Sequence, residues 1–144
     1  MAEGRAASRM RATARRDGTG FRHTVELGEH HLTVDEPVSV GGGDAGPDPQ
    51  ALLAASLASC SAITMEMYAQ RKGWDIGYVE VAVEYAPPER GCMTKFELVL
   101  RLPDDLSDER AERLRVIASQ CPVHRALEGD VMFQERIERV HLAA

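Results

Sequence analysis

Aromatic residues are scarce in this chain: three Phe, three Tyr and one Trp among 144 residues. A core of that size must therefore be built from Leu, Val, Ile, Met and Ala. Positive charge is also in deficit. Seventeen Lys and Arg against 23 Asp and Glu leave a formal charge of -6, which argues against a nucleic-acid footprint. The one basic cluster, Arg5, Arg9, Arg11, Arg15 and Arg16, reads as a solvated, partly frayed start of the chain. Residues 1–25 hold no apolar run of the kind a secretory leader needs. The longest apolar region is interrupted by Ser56, Ser59, Cys60, Ser61 and Thr64, short of the ~20 apolar residues of a membrane span. The expected setting is cytoplasmic, with neither nucleic acid nor membrane as partner. In that setting the three cysteines are not a disulfide framework. Each has to be judged on its own surroundings.

What is present is an ordinary globular composition, 44% apolar and 28% charged. The length suits one domain, here expected over residues 10–144 after a disordered stretch at 1–9. Arg11 to Arg15 predicts a first strand, with Asp17-Gly18 as its turn. Phe21, His23, Val25 and Leu27 then alternate, and so do Leu32 and Val34. A three-stranded antiparallel meander is expected. Residues 40–49 are rich in Gly, Asp and Pro and read as a loop. Asp48 is placed to cap a helix that Pro49 begins and Gly73 ends. That helix is apolar on nearly every side, through Leu52, Leu53, Leu57, Ile63, Met65 and Met67. It is expected in the middle of a core, with a face left for a second copy of the chain. Strands are expected at 76–85, 93–102 and 132–140, and helices at 107–120, capped by Ser107, and at 121–127. The class is α+β, with a largely antiparallel sheet wrapping a long buried central helix.

Cys60 shares a helix face with Leu53, Leu57, Thr64 and Met67. It reads either as a small core residue or as a buried reactive thiol. Cys121 directly precedes Pro122, a helix-starting position whose backbone N–H groups favour a thiolate. His124 and Arg125 lie within one turn of it and could add positive charge. Cys92, in a loop after Gly91, reads as incidental. Cys121-Pro-Val-His124 has C-x-x-H spacing, and with Cys60 it would give three ligands of a catalytic zinc, but no fourth ligand and no second C-x-x-C is visible, and no metal is expected. The Gly-rich loop lacks both phosphate-binding signatures, and Asp44 and Asp48 would repel an anion.

Two stretches together carry a resemblance. One is G-x-x-P-x-x-L-L-A-A-x-x-A-x-C, Gly46 to Cys60, on a long helix; the other is CPVHRAL, where a second cysteine opens a short helix. The chain resembles the OsmC/Ohr superfamily over about residues 10–140, nearest its general OsmC-like branch. The resemblance implies an intertwined α+β homodimer with active sites at the interface and no cofactor. It also implies a thiol-dependent peroxidase in which Cys60 attacks an organic hydroperoxide and Cys121 resolves the sulfenic acid as a disulfide. An arginine from the first strands, Arg16 or Arg22, would support the thiolate and the departing alkoxide. Leu53, Leu57 and Met67 would line the substrate pocket. A dithiol or a lipoylated protein would be the reductant. One position departs from the family pattern: Gln50 stands where peroxidase members carry a glutamate that orients the arginine. A neutral amide loses the charge-assisted part of that clamp. The same resemblance thus also allows a weakly catalytic or non-catalytic protein that binds a ligand or senses redox state.

Overall fold

An alternating run of side chains becomes a strand only when its backbone groups find a ladder. In the computed structural model, which describes residues 9–143, three such runs pair at the start of the chain. β1 (Ala12–Arg16), β2 (His23–Leu27) and β3 (His30–Val34) form an antiparallel sheet in the order β1-β2-β3. Its register sets Ala14 opposite Val25, and Val25 opposite Leu32. The disorder expected at the start of the chain falls almost wholly outside the described residues.

The loop after β3 is organised by one buried carboxylate. Asp35 is 3% exposed. It accepts backbone N–H bonds from Glu36 at 2.8 Å, Ala45 at 3.1 Å and Gly43 at 3.2 Å. The loop packs so tightly that a Cβ at Gly42 or Gly46 would collide with the backbone of Glu36 or Thr33. This loop delivers the chain to α1 (Pro49–Lys72). Asp48 Oδ1 caps it by accepting from the Ala51 N–H at 2.7 Å. Gly73, with a φ of +70°, ends it behind Arg71 and Lys72. By length and composition alone α1 could cross a membrane, a test that core helices also meet.

β4 (Glu80–Ala86) and β5 (Lys95–Arg101) form a second, two-stranded sheet. Arg101 bonds Glu80 at 3.0 Å, and Phe96 stacks on Tyr85 with centroids 5.0 Å apart. One strand advances as the other retreats by the same step, the mark of antiparallel pairing. α2 (Asp108–Ala118) follows, with Ser107 accepting from the Arg110 N–H at 3.2 Å, and then α3 (Pro122–Glu128).

The described chain sorts into two compact units. One holds the residues up to Ser56 with Val83–Glu97, and the other holds Leu57–Ala82 with the residues from Leu98 onward. The second unit contains the main buried cluster: Met65, Tyr68 and Ala69 of α1 with Leu114, Ile117 and Ala118 of α2. Each fully buried Leu or Met side chain there is worth about 1.5–3 kcal/mol. Polar contacts fix the crossing. Arg113 Nε donates to the Tyr68 hydroxyl at 3.0 Å, and the Arg110 guanidinium lies 4.7 Å from the centre of the Trp74 ring.

Three expectations need correction. The strands form two separate sheets rather than one wrapping sheet. α1 is not buried all round: Leu57, Ser61, Met65, Tyr68 and Ala69 make a single buried stripe, while Ile63 and Met67 face out. The segment expected as a strand at 132–140 has no strand at all. Its alternation is real, but no ladder receives it, and Met132, Phe133, Ile137 and Val140 stay exposed.

The loop carries a pH signature. The backbone N–H groups of Ala45 and Glu36 hold the Asp35 carboxyl below its ordinary value of 3.8. Its stabilisation is therefore complete above that value and is lost as pH falls through the lower folded value. Asp35→Asn replaces an acceptor with an amide that presents N–H to N–H. The variant should melt several degrees lower at neutral pH and lose less stability than the parent on acidification below 3.8. Melting curves against pH check both.

Candidate functional site

Cys121 is an N-cap because proline follows it. Pro122 supplies no N–H and presets the first helical φ, while Cys121 itself is extended, with φ -65° and ψ 150°. Its Sγ accepts the His124 backbone N–H at 3.3 Å. The residue is 0% exposed. That cap turns the thiol towards the middle of α1, where the fully buried Ser61 hydroxyl stands 3.8 Å from Cys121 Sγ.

Cys60, next to Ser61, completes the arrangement. Cys60 and Cys121 are close enough for the Cys121 side chain to bear on the Cys60 thiol, and both are free. The Val123 backbone N–H and the Thr64 side chain also hydrogen-bond to Cys60. Cys60 is half-buried, whereas Cys121 is buried. The second unit thus brings two thiols and two hydroxyls together, with two main-chain N–H groups of α3 aimed at the sulfurs.

Electrostatics favour the protonated form of Cys60. Burial pushes its thiol above the ordinary 9.0, and the Cys121 thiol adds to that shift. The Val123 N–H and Thr64 act in the opposite direction but do not reverse it. Among the described residues no arginine or lysine contributes to this balance.

The other expected site residues are distributed as follows. Leu57 is buried beside the pair in sequence, and Met67, later on the same helix, is 58% exposed. Arg16, Arg22, Gln50 and Leu53 belong to the first unit. Arg16 is exposed at the end of β1, opposite His23. Arg22 lies 3.4 Å from Asp17. Gln50 is exposed in the first turn of α1, and Leu53 is half-buried. Cys92 is exposed. His124 acts on Cys121 through its backbone rather than its ring. The ring Nδ1 lies 3.1 Å from Glu128 Oε1, off the hydrogen-bond direction. It lines a groove of about 700 Å³ with Leu98, Leu100, Leu102 and Ala118.

Sequence reasoning placed Thr64 on the face of Cys60 but passed over Ser61 as a polar interruption in an apolar helix. The available signal was its position next to Cys60. Among the described residues no group of three His, Cys, Asp or Glu is placed to hold a metal ion.

Comparison with known proteins bears on the whole chain. The family model described as OsmC-like protein matches residues 41–136. A protein of Haloferax volcanii with no assigned function is 26% identical over 114 residues, covering 78% of this chain and 83% of its own. The structure is similar to that of an OsmC-like protein from Mycoplasma pneumoniae, with a TM-score of 0.71, 21% identity, and coverage of 85% of this chain and 89% of that one. It is also similar to an organic hydroperoxide resistance protein, OsmC, from Legionella pneumophila, with a TM-score of 0.66, 25% identity, and coverage of 86% and 92%.

The thiol–thiol contact has a measurable consequence. Removing Cys121 takes away part of the burial and the neighbouring thiol, both of which raise the Cys60 value. In Cys121→Ala the pH midpoint of Cys60 alkylation by iodoacetamide should move down relative to the parent, followed by peptide mass spectrometry. An unchanged midpoint would remove Cys121 as a cause. A parental midpoint below 9.0 would reveal a cation acting on Cys60 from beyond these contacts.

Proposed function

The chain belongs to the OsmC-like protein family, and on that premise we propose that it is a thiol peroxidase that reduces organic hydroperoxides. The observation that carries the reading is the proximity of the free Cys60 of α1 and the free Cys121 at the start of α3. In this mechanism the Cys60 thiolate attacks the outer peroxide oxygen. The S–O bond forms as the O–O bond breaks, the alkoxide takes a proton and leaves as alcohol, and Cys60 becomes a sulfenic acid. Cys121 then attacks that sulfur, an S–S bond forms, and hydroxide leaves as water. A dithiol or a lipoylated protein in a reducing cytoplasm returns the disulfide to two thiols.

The chain's own groups have assigned tasks in this scheme. The Val123 N–H and Thr64 stabilise negative charge on Cys60. Burial and the second thiol oppose it, so a cation is needed. Arg16 or Arg22 supplies it, with Gln50 holding the guanidinium through a neutral hydrogen bond. Leu53, Leu57 and Met67 favour apolar hydroperoxides over hydrogen peroxide. The chain works as a homodimer. The exposed apolar side chains of Phe133, Ile137 and Val140, and of Ile63 and Met67 on α1, support that assembly.

A second reading has its own support. The raised Cys60 value and the neutral Gln50 both suit a protein that is oxidised once and does not cycle. Steady turnover separates the two.

Reduced protein given one equivalent of tert-butyl hydroperoxide should lose two hydrogens by intact mass. The loss should vanish in both Cys60→Ser and Cys121→Ser. With dithiol present, turnover should continue and should be faster with cumene hydroperoxide than with hydrogen peroxide. Thiols that survive excess peroxide unchanged would sink the reading. Light scattering should give twice the 15.8 kDa of one chain; a single-chain mass at all concentrations would count against the dimer.

A further inference from the structure

The cysteine pair has a capacity that needs no peroxide. Cys60 lies on α1 and Cys121 caps α3; Ser61, the next residue after Cys60, stands 3.8 Å from Cys121 Sγ, and both cysteines are free. The Cys121 sulfur is fixed by its cap and by Ser61, so the pair is organised before any ligand arrives. Among the described residues no His, Asp, Glu or further Cys joins it to make a set of three. A tetrahedral ion such as zinc would find half its shell unfilled. The ligand that suits two converging sulfurs and no third donor is a soft centre with two exchangeable positions.

We propose that Cys60 and Cys121 form a two-thiol binding site for trivalent arsenicals that carry one carbon substituent. Such a compound holds arsenic bound to one carbon and to exchangeable oxygen. Two As–S bonds replace the As–O bonds, the two thiol protons leave with the oxygen as water, and neither arsenic nor sulfur changes oxidation state. The half-buried Cys60 meets the arsenic first. Cys121, 3.8 Å from the neighbouring Ser61 hydroxyl, then closes the chelate as an intramolecular step. The exposed Cys92 offers a single sulfur and no chelate.

The probe is phenylarsine oxide, added at one equivalent to the reduced full-length protein. Intact mass should show one phenylarsenic group per chain. Iodoacetamide followed by peptide mapping should find Cys60 and Cys121 protected and Cys92 alkylated. The dithiol 2,3-dimercaptopropanol should strip the adduct, and excess glutathione should not. Cys60→Ala and Cys121→Ala should each weaken binding roughly 100-fold or more, because the second thiol acts at a high effective concentration. Protection of Cys92, continued alkylation of Cys121, or removal of the adduct by glutathione would overturn the proposal. The mapping is done on the unsubstituted chain, so it does not depend on how the variants fold. No oxidant takes part, so failure to reduce hydroperoxides and failure to bind the arsenical are separate results.

Discussion

The position of the Cys121 sulfur is the constraint on which the rest of the site depends. A proline after it fixes the start of α3, the cap geometry turns its side chain inward, and the His124 N–H and Ser61 hydroxyl hold it there. Because the same turn presents the Val123 N–H to Cys60, one short helix start serves both sulfurs. The helix itself is seven residues long and contributes no fully buried residue. It is kept in place by its first turn, so the packing that defines the site and the packing that defines the helix are the same contacts. The Ala118 carbonyl accepting from Cys121 ties that turn back to α2, and α2 is tied to α1 through Leu114 and Met65. The sulfur pair thus inherits its rigidity from the main buried cluster.

Charge at Cys60 is set by a contest between burial and hydrogen-bond donors, and burial wins. That outcome is what a close thiol pair needs in its resting form. Two adjacent thiolates would repel strongly at this separation, whereas two thiols share a hydrogen bond. Nucleophilic attack asks for the opposite state, and the difference has to come from a cation. In the usual family arrangement a carboxylate would hold that cation. Gln50 can orient a guanidinium but cannot add charge to the contact.

The parts legible in the sequence were those written in local chemistry. α1 has its bounds at Pro49 and Lys72 because Asp48, Pro49 and Gly73 each act on the backbone next to them. Ser107 and Cys121 mark the starts of α2 and α3 in the same way. The parts that were not legible depend on what lies opposite. Ser61 looks like an interruption in an apolar helix until the Cys121 sulfur is set 3.8 Å away. His124 reads as a source of positive charge, yet its contribution to Cys121 is a backbone N–H, and its ring turns towards Glu128. Periodicity alone could not tell that the face of α1 bearing Met67 would stay exposed while the stripe through Met65 was buried.

The 132–140 segment sharpens the same point. Its sequence has the alternation of a strand, and its backbone has no strand partner. A strand is a property of a pair, so a pattern that satisfies one side of the ladder leaves the other side to be supplied. Exposed side chains of this size are costly to leave in water, at about 25 cal/mol for each Å² of apolar surface. The stretch holds Met132, Phe133, Ile137, Val140 and Leu142, the last 80% exposed. On α1 the exposed Ile63 and Met67 stand on either side of Thr64, a residue that hydrogen-bonds Cys60. Whatever covers that part of α1 therefore lies next to Cys60. Covering it would dry the approach to Cys60 and strengthen every charge acting there.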